Sequence, residues 1–227
     1  MKNMKFALLY VVAGLSVSAT ASTAFAQNYP DANAYISLGG GASMPDSSSV
    51  NYTNGVGTTL NGKTSFDTGY ILSGAVGYRW FSGMRTEVEF NYRRSNVNAI
   101  AGASAAGRQK VMGLMGNILF EVGDIGGFRP YVGGGAGVGW NTWSNVQGGA
   151  SLTFPAGTAL YDDKRDPALQ WQGIAGVSHA VSDSVEVFAE YRYIGLQNNK
   201  FASTTVGSAS GHSDRSHNAL AGVRFNF

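Results

Sequence analysis

The sequence contains no cysteine, only five prolines, and charged residues at just 13% of its 227 positions. The absence of cysteine excludes a disulfide scaffold, a thiolate metal site and a cysteine nucleophile. A mean hydropathy of −0.07 excludes a bundle of membrane helices. The sequence has instead 32 glycines and 12% aromatic residues, a combination that favours β structure over disorder.

Residues 1–26 are predicted to be a cleaved signal peptide. Lys2 and Lys5 precede a short apolar run, and Ala24-Phe25-Ala26 forms a small-x-small cleavage site. The apolar run is shorter than the roughly 20 residues of a spanning helix, although an N-terminal membrane anchor is the alternative. Cleavage removes two of the 16 basic residues and none of the 14 acidic ones, so the domain 27–227 has no net charge. No basic patch indicates nucleic-acid binding.

Eight segments of the mature chain alternate apolar and polar residues, with no convincing helical period. In 84–93, for example, Val88 and Phe90 lie on one face and Glu87 and Glu89 on the other. The segments are longer than the five or six residues usual in soluble sheets and match the roughly 9–11 residues of a tilted membrane strand. The predicted strands are 34–44, 70–80, 84–93, 109–121, 128–140, 168–180, 185–193 and 218–227.

The connections between these strands alternate in length. Short connections fall at 81–83, 122–127 and 181–184, and long polar ones at 45–69, 95–108, 144–167 and 195–216. This layout predicts an all-β fold: an eight-stranded antiparallel up-and-down transmembrane β-barrel with short periplasmic turns and long extracellular loops.

Alternation alone does not decide which face is the core, because a soluble lipocalin-like barrel turns its apolar face inward. Aromatic residues favour the opposite arrangement, since they flank an aliphatic belt as two membrane interfaces require. The band at the short-turn end is predicted to contain Tyr78, Trp80, Phe120, Phe128, Phe225 and Phe227. The band at the long-loop end is predicted to contain Tyr70, Tyr92, Trp140, Trp171, Tyr191 and Tyr193.

The polar face combines glycine with charges of both signs, which indicates a narrow interior. Gly133, Gly135, Gly137 and Gly139 would leave room for long side chains from other strands. The charges nearly cancel, as burial requires, because an isolated buried charge is very costly. Since eight strands enclose space for side chains only, we expect a filled barrel. The predicted structural ion network consists of Arg79, Arg85, Glu87, Glu89, Arg93, Glu121, Arg129, Glu186, Glu190, Arg192 and Arg224.

Three stretches carry a resemblance to a known family: FRPYVGGGAGVGW at 128–140, EYRY at 190–193 and AGVRFNF at 221–227. The chain resembles the eight-stranded outer-membrane surface proteins of Gram-negative bacteria, the OmpA-like and opacity-protein-like barrels that include the bacterial surface-antigen group. The resemblance covers essentially the whole mature chain. It implies a location in the outer membrane, with outer-membrane lipid as a partner. A second, peptidoglycan-binding domain is not expected, because the chain stops at the last strand of the barrel.

Val223, Phe225 and Phe227 occupy alternate positions at the C-terminal end. This pattern is similar to the signal by which such proteins are delivered to the barrel-insertion machinery. The resemblance therefore implies that machinery as a second partner.

Residues 211–217, GHSDRSH, contain the residue types of a hydrolase triad. We interpret the segment as a solvated loop, because a flexible loop does not hold a triad rigidly. The spacing of His212 and His217 is too loose for a metal pair. Ser178 and His179 are neighbours in a strand and point to opposite faces, so they cannot act together as nucleophile and base.

Three further patterns have simpler structural interpretations. Glu87 and Glu89 could mimic glycosidase carboxylates, but two arginines on the same face favour an ion network. Asp162, Asp163 and Asp166 fall in a loop with Lys164 and Arg165, which favours a solvated turn over a calcium site. The glycines at 133–135 do not open a helix, which argues against a phosphate cradle. The sequence therefore predicts no catalytic, cofactor or metal site, and no enzyme.

The favoured function is that of a surface protein whose loops meet host molecules, phage or antibodies. Tyr52, Trp143, Tyr161 and Phe201 are candidate anchors for such binding. A narrow diffusion channel is the first alternative, should the ion network leave a continuous file of water. An outer-membrane lipid-modifying enzyme is the second. We expect a monomer.

Overall fold

Eleven antiparallel strands make up the described part of the chain, which covers residues 34–54, 59–80, 83–100, 103–148, 167–199, 207–210 and 212–227 of a computed structural model. No helix in these ranges is long and apolar enough to cross a membrane. The predicted signal peptide, 1–26, lies outside them. The strands are β1 Ala34–Pro45, β2 Ser48–Asn54, β3 Thr59–Phe66, β4 Gly69–Arg79, β5 Met84–Ile100, β6 Ala103–Glu121, β7 Phe128–Gly148, β8 Pro167–Ser182, β9 Val185–Asn199, β10 Gly207–Ser210 and β11 His212–Asn226.

Eight of these strands close into a barrel in the order β1, β4, β5, β6, β7, β8, β9 and β11, with β11 pairing back to β1. This confirms the predicted eight-stranded antiparallel barrel. Tracing paired residues once around the wall from Tyr35 returns to β1 at Pro45, a stagger of ten residues. With the usual rise and strand spacing, that stagger tilts the strands by about 40° from the barrel axis.

The long connections are more ordered than the sequence indicated. β5 extends to Ile100 and β6 begins at Ala103, so most of the predicted loop at 95–108 is strand. The predicted loop at 45–69 contains the β2–β3 hairpin, and β3 pairs with β5 above the barrel. The predicted loop at 195–216 contains β10, which pairs with β2, and the start of β11. Two of the long connections are therefore joined in one sheet that rises from the barrel wall.

The short connections lie together at the opposite end, which we call the turn end; the other is the loop end. Asp183 and Ser184 alone join β8 to β9. Between β6 and β7 the chain turns back through Gly126 and Gly127, with φ of 64° and 85°, where L side chains are strained. The N–H of Gly127 donates to Asp124 Oδ1 over 2.8 Å and closes this turn.

The two faces of the wall have opposite character. Outward side chains are apolar and exposed, among them Leu38, Val76, Val88, Leu114, Ile118 and Val132. Inward side chains are buried and mostly polar, and the residues predicted for the ion network all lie on this inner face. The interior is therefore a polar core inside an apolar shell.

Glycines on the inner face of β7 allow the wall to be packed this tightly. A Cβ atom at Gly137 would overlap the carbonyl oxygen of Leu114 on β6, and one at Gly135 would overlap Asn117. By contrast, a Cβ atom at Gly173, on the outer face of β8, meets nothing within 4 Å. Small residues are thus required on the inner face of β7 and are not required at Gly173.

We expect Gly137→Ala to destabilise the folded barrel by about 1–3 kcal/mol, because the added methyl group overpacks the β6–β7 contact. Gly173→Ala is the matched control and should be neutral or slightly stabilising, since alanine loses less backbone entropy on folding. The free energy of unfolding in urea, measured in lipid vesicles, tests both. Equal effects of the two substitutions would contradict the packing argument.

Candidate functional site

The candidate site is the charged interior, whose first part is a cluster at the turn end. Glu186 accepts from three arginines: Arg79 Nη2 at 2.9 Å, Arg129 Nη2 at 2.7 Å and Arg224 Nη1 at 2.6 Å. Arg79 and Arg85 each lie 3.5 Å from Glu121 Oε1. This basal cluster, Arg79, Arg85, Glu121, Arg129, Glu186 and Arg224, holds four arginines against two carboxylates, an excess of two positive charges.

A second cluster lies near mid-barrel and has the opposite excess. Arg192 pairs with Glu89 at 2.7 Å and with Glu190 at 2.5 Å. Asn117 Nδ2 donates to Glu89 at 2.9 Å and to Glu87 at 3.5 Å. This central cluster, Glu87, Glu89, Glu190 and Arg192, holds three carboxylates and one arginine, which offsets the basal excess.

Two tyrosines join the clusters, and each contacts both. The Tyr35 hydroxyl donates to Glu87 Oε1 at 2.7 Å, and its ring centroid lies 5.0 Å from the Arg224 guanidinium carbon. The Tyr131 hydroxyl donates to Glu190 Oε1 at 2.7 Å, and its ring lies 4.3 Å from the guanidinium carbon of Arg85. Each ring therefore offers its electron-rich face to a cation and its hydroxyl proton to an anion.

Of the predicted network, Arg93 lies apart from both clusters, near the loop end. Its Nη1 donates to Ser216 Oγ at 2.5 Å, and within the described ranges no carboxylate lies within 4 Å of it. Nearby, Asp214 accepts from Gln109 at 3.0 Å and from Asn141 at 2.5 Å. Together with Asp214, the inward side chains of the described residues include six arginines and six carboxylates, so these charges balance.

Asp214 corrects the interpretation of 211–217 as a solvated loop. It lies in β11, is 8% exposed and faces inward, like Ser216 and Asn218. The sequence itself indicates this inward position, because the polar–apolar alternation of the last predicted strand continues upstream to residue 214 without a shift. Asp214 and Ser216 therefore share the inner face, whereas His217, at a position of opposite parity, lies on the outer face.

The other motif residues also lie apart. The Ser178 side chain is buried in the interior, while His179 faces outward, with Nδ1 2.9 Å from the Gly127 carbonyl oxygen. His217 is on the outer face, where Nδ1 lies 2.5 Å from the Tyr191 hydroxyl. Among the described residues, no group of three His, Asp or Glu side chains has the arrangement of a metal site. The aspartates of 162–166, with Tyr161 and Phe201, fall outside these ranges.

The geometry defines a class of protein: a membrane-spanning β-barrel whose interior is filled with paired charges and whose outer wall is apolar. The chain belongs to the outer membrane protein beta-barrel domain family, whose model matches residues 7–227. It is therefore an outer-membrane barrel of a Gram-negative bacterium, with its short turns in the periplasm and its long connections outside.

The chain is also similar to individual proteins. An outer membrane protein of Gluconacetobacter diazotrophicus is 26% identical over 220 residues, which cover 85% of this chain and 57% of that protein. The chain thus spans a little more than half the length of this relative. OprG from Pseudomonas aeruginosa is a solved structure with a TM-score of 0.57 and 16% identity, covering 86% of this chain and 96% of that one. Neisserial surface protein A has a TM-score of 0.49 and 19% identity, covering 86% of this chain and 97% of that one. At such identities the likeness to solved structures is one of fold.

We expect Glu186→Gln to cost about 3–5 kcal/mol of folding stability, because it leaves three buried arginines without their shared anion. The matched control is Glu87→Gln, which removes a buried carboxylate that is bonded to Tyr35 and Asn117. Its cost should be nearer 1.5–3 kcal/mol, the usual value of hydrogen bonds to a charged group. Urea unfolding in vesicles compares the two variants.

If Glu186→Gln does not fold, the double variant Glu186→Gln/Arg129→Gln provides the readout. It removes one of the excess arginines, which has the most exposed side chain of the basal cluster at 11%. Part of the stability should therefore return. A Glu87→Gln cost as large as that of Glu186→Gln would show that the arginine excess does not govern stability.

Proposed function

We propose that the protein acts at the cell surface through its extracellular connections, as an adhesin or surface antigen, and that it neither conducts nor catalyses. The observation that carries the proposal is the filled interior. Buried arginines, carboxylates and tyrosines occupy the barrel from the turn end to mid-barrel, and each cluster is bonded across strands.

Buried apolar side chains also lie in the interior toward the loop end, which supports the argument against conduction. Ile71, Ile194 and Leu220 form one buried cluster, and Val111, Ala168 and Leu196 form another. Ions would have to cross both the charged clusters and these apolar ones. Since moving an ion through apolar surroundings is costly, this interior favours a structural role over a porin-like one.

The sheet above the barrel supports a role in contact with other molecules. β2, β3 and β10 extend the β5 edge, so two extracellular connections form one hydrogen-bonded surface. Backbone pairing of this kind holds a binding surface in place better than separate loops would. The candidate anchors Tyr52 and Trp143 lie on β2 and β7 in this outer region.

The proposal is tested with bacteria that express the full chain or a variant in which residues 48–66 are replaced by a Gly-Ser linker. Adherence to epithelial monolayers should fall to the level of cells with empty vector, because the variant lacks the β2–β3 hairpin. Asp183→Asn, in a periplasmic turn, is the control and should adhere like wild type. Heat-modifiable gel mobility verifies that all three fold.

Planar-bilayer recordings of the purified wild-type protein test the channel alternative. We expect no single-channel steps, because the clusters leave the interior filled. Regular steps in wild type, together with unchanged adherence of the hairpin variant, would replace the surface role with a channel role.

A further inference from the structure

His217 lies on the outer face of β11 near the loop end, between β1 and β9. It is paired with Met44 of β1 and with Tyr193 of β9, whose ring centroid lies 4.9 Å from that of His217. Its Nδ1 atom is 2.5 Å from the Tyr191 hydroxyl, and its Nε2 atom is 3.4 Å from Asp46 Oδ1. Both ring nitrogens therefore have a partner, and one of these partners is a carboxylate.

Asp46 marks the point at which the chain leaves the barrel wall. β1 ends at Pro45, the last residue of its pairing with β11, and β2 begins at Ser48. The Asp46 N–H donates to the Arg215 carbonyl oxygen over 2.9 Å. β2 then pairs with β3 and β10 in the extracellular sheet. The contact between Asp46 and His217 thus joins the wall to the first residues of that sheet.

The protonation state of His217 decides how strong this contact is. A neutral imidazole has one N–H, and an ionised carboxylate can only accept. The neutral ring that satisfies both partners therefore keeps its proton on Nε2 and accepts from the Tyr191 hydroxyl at Nδ1. A protonated ring donates from both nitrogens, so its contact with Asp46 becomes an ion pair.

The groups around the His217 ring act on its proton in opposite directions. Asp46, in the connection between β1 and β2, favours the protonated ring because its charge is opposite. Arg215 of β11, two residues away on the same outer face, disfavours it. Tyr191 and Tyr193 of β9 contribute a hydroxyl group and an aromatic ring and not a charge. Since Asp46 contacts the ring itself, we expect its attraction to prevail.

We propose that protonation of His217 strengthens the attachment of the extracellular sheet to the barrel wall, and that acid outside the cell thereby orders the start of β2. The ion pair exists only while His217 carries its second proton, so this ordering is present at acidic pH and is lost as the pH rises. The side chains of His217 and Asp46 are 44% and 41% exposed, so solvent weakens the pair and keeps the change reversible. The inference goes beyond the proposed surface role and does not depend on it, because it concerns the order of the sheet and not what the sheet binds.

The test measures the mobility of a single nitroxide label at Ser48→Cys, the first residue of β2, in the full chain in lipid vesicles. The ratio of immobile to mobile label should rise about two- to fivefold between about pH 7.5 and about pH 5.5, as expected for one partly exposed ion pair. In the same labelled chain, His217→Gln should abolish the rise. Asp46→Asn should abolish it too, because it removes the charge and keeps the size of the side chain. His179→Gln changes an outward-facing histidine at the turn end, so it is the matched control and should respond like wild type.

A second measurement separates the ion pair from other effects of acid. The NMR signals of the His217 ring, assigned by their loss in His217→Gln, should change over the same pH interval as the mobility of the label. An equal rise in the immobile fraction in wild type and in a folded His217→Gln variant would overturn the proposal. So would a rise that persists in Asp46→Asn, or no rise in wild type. Heat-modifiable mobility verifies folding, and if His217→Gln misfolds, Asp46→Asn decides alone, since that residue lies between β1 and β2.

Discussion

The structure depends on pairing the charged side chains inside the barrel with one another, because only a single layer of β-sheet separates them from lipid. An ionised side chain inside this barrel has hydrocarbon on the far side of the wall and little water beside it, so its partners must come from the same interior. The basal and central clusters satisfy this need jointly, because the arginine excess of one offsets the carboxylate excess of the other. Tyr35 and Tyr131 make that compensation local, since each contacts a cation and an anion.

Other features follow from this constraint. Twelve charged side chains fit inside eight strands only if part of the wall contributes no side chains, and the glycines of β7 meet that requirement. The proposed surface role places interactions with other molecules on the outer surface of the barrel. That surface includes the extracellular sheet of β2, β3 and β10.

The sequence predicted those parts of the structure that repeat with a period of two. The strand count and the two faces follow from alternation. The inward position of Glu186 and Arg192 follows from the aromatic bands on the apolar face and the balanced charges on the polar one. The sequence did not predict which charged residues pair with each other, because the pairing depends on the stagger between strands. Glu186 of β9, for example, pairs with Arg79 of β4 and Arg129 of β7. The alternation of β11 also extends to Asp214, but the polar residues of 211–217 favour a loop when composition alone is considered. β2 has only the alternating apolar pair Val50 and Tyr52, and β3 and β10 have no alternating apolar run, so their sequences resemble those of loops.

The central claim, that hydrocarbon touches the apolar face while charges pair inside, is tested most directly by the environment of nitroxide labels. Because the chain has no cysteine, single labels can be placed at Val88→Cys, Ala136→Cys and Ala221→Cys on the outer face, with Asp183→Cys in a turn as the aqueous reference. In vesicles, the three wall labels should collide with oxygen and be protected from a water-soluble nickel chelate. Frequent collisions of the wall labels with the nickel chelate, as at the turn, would contradict the claim.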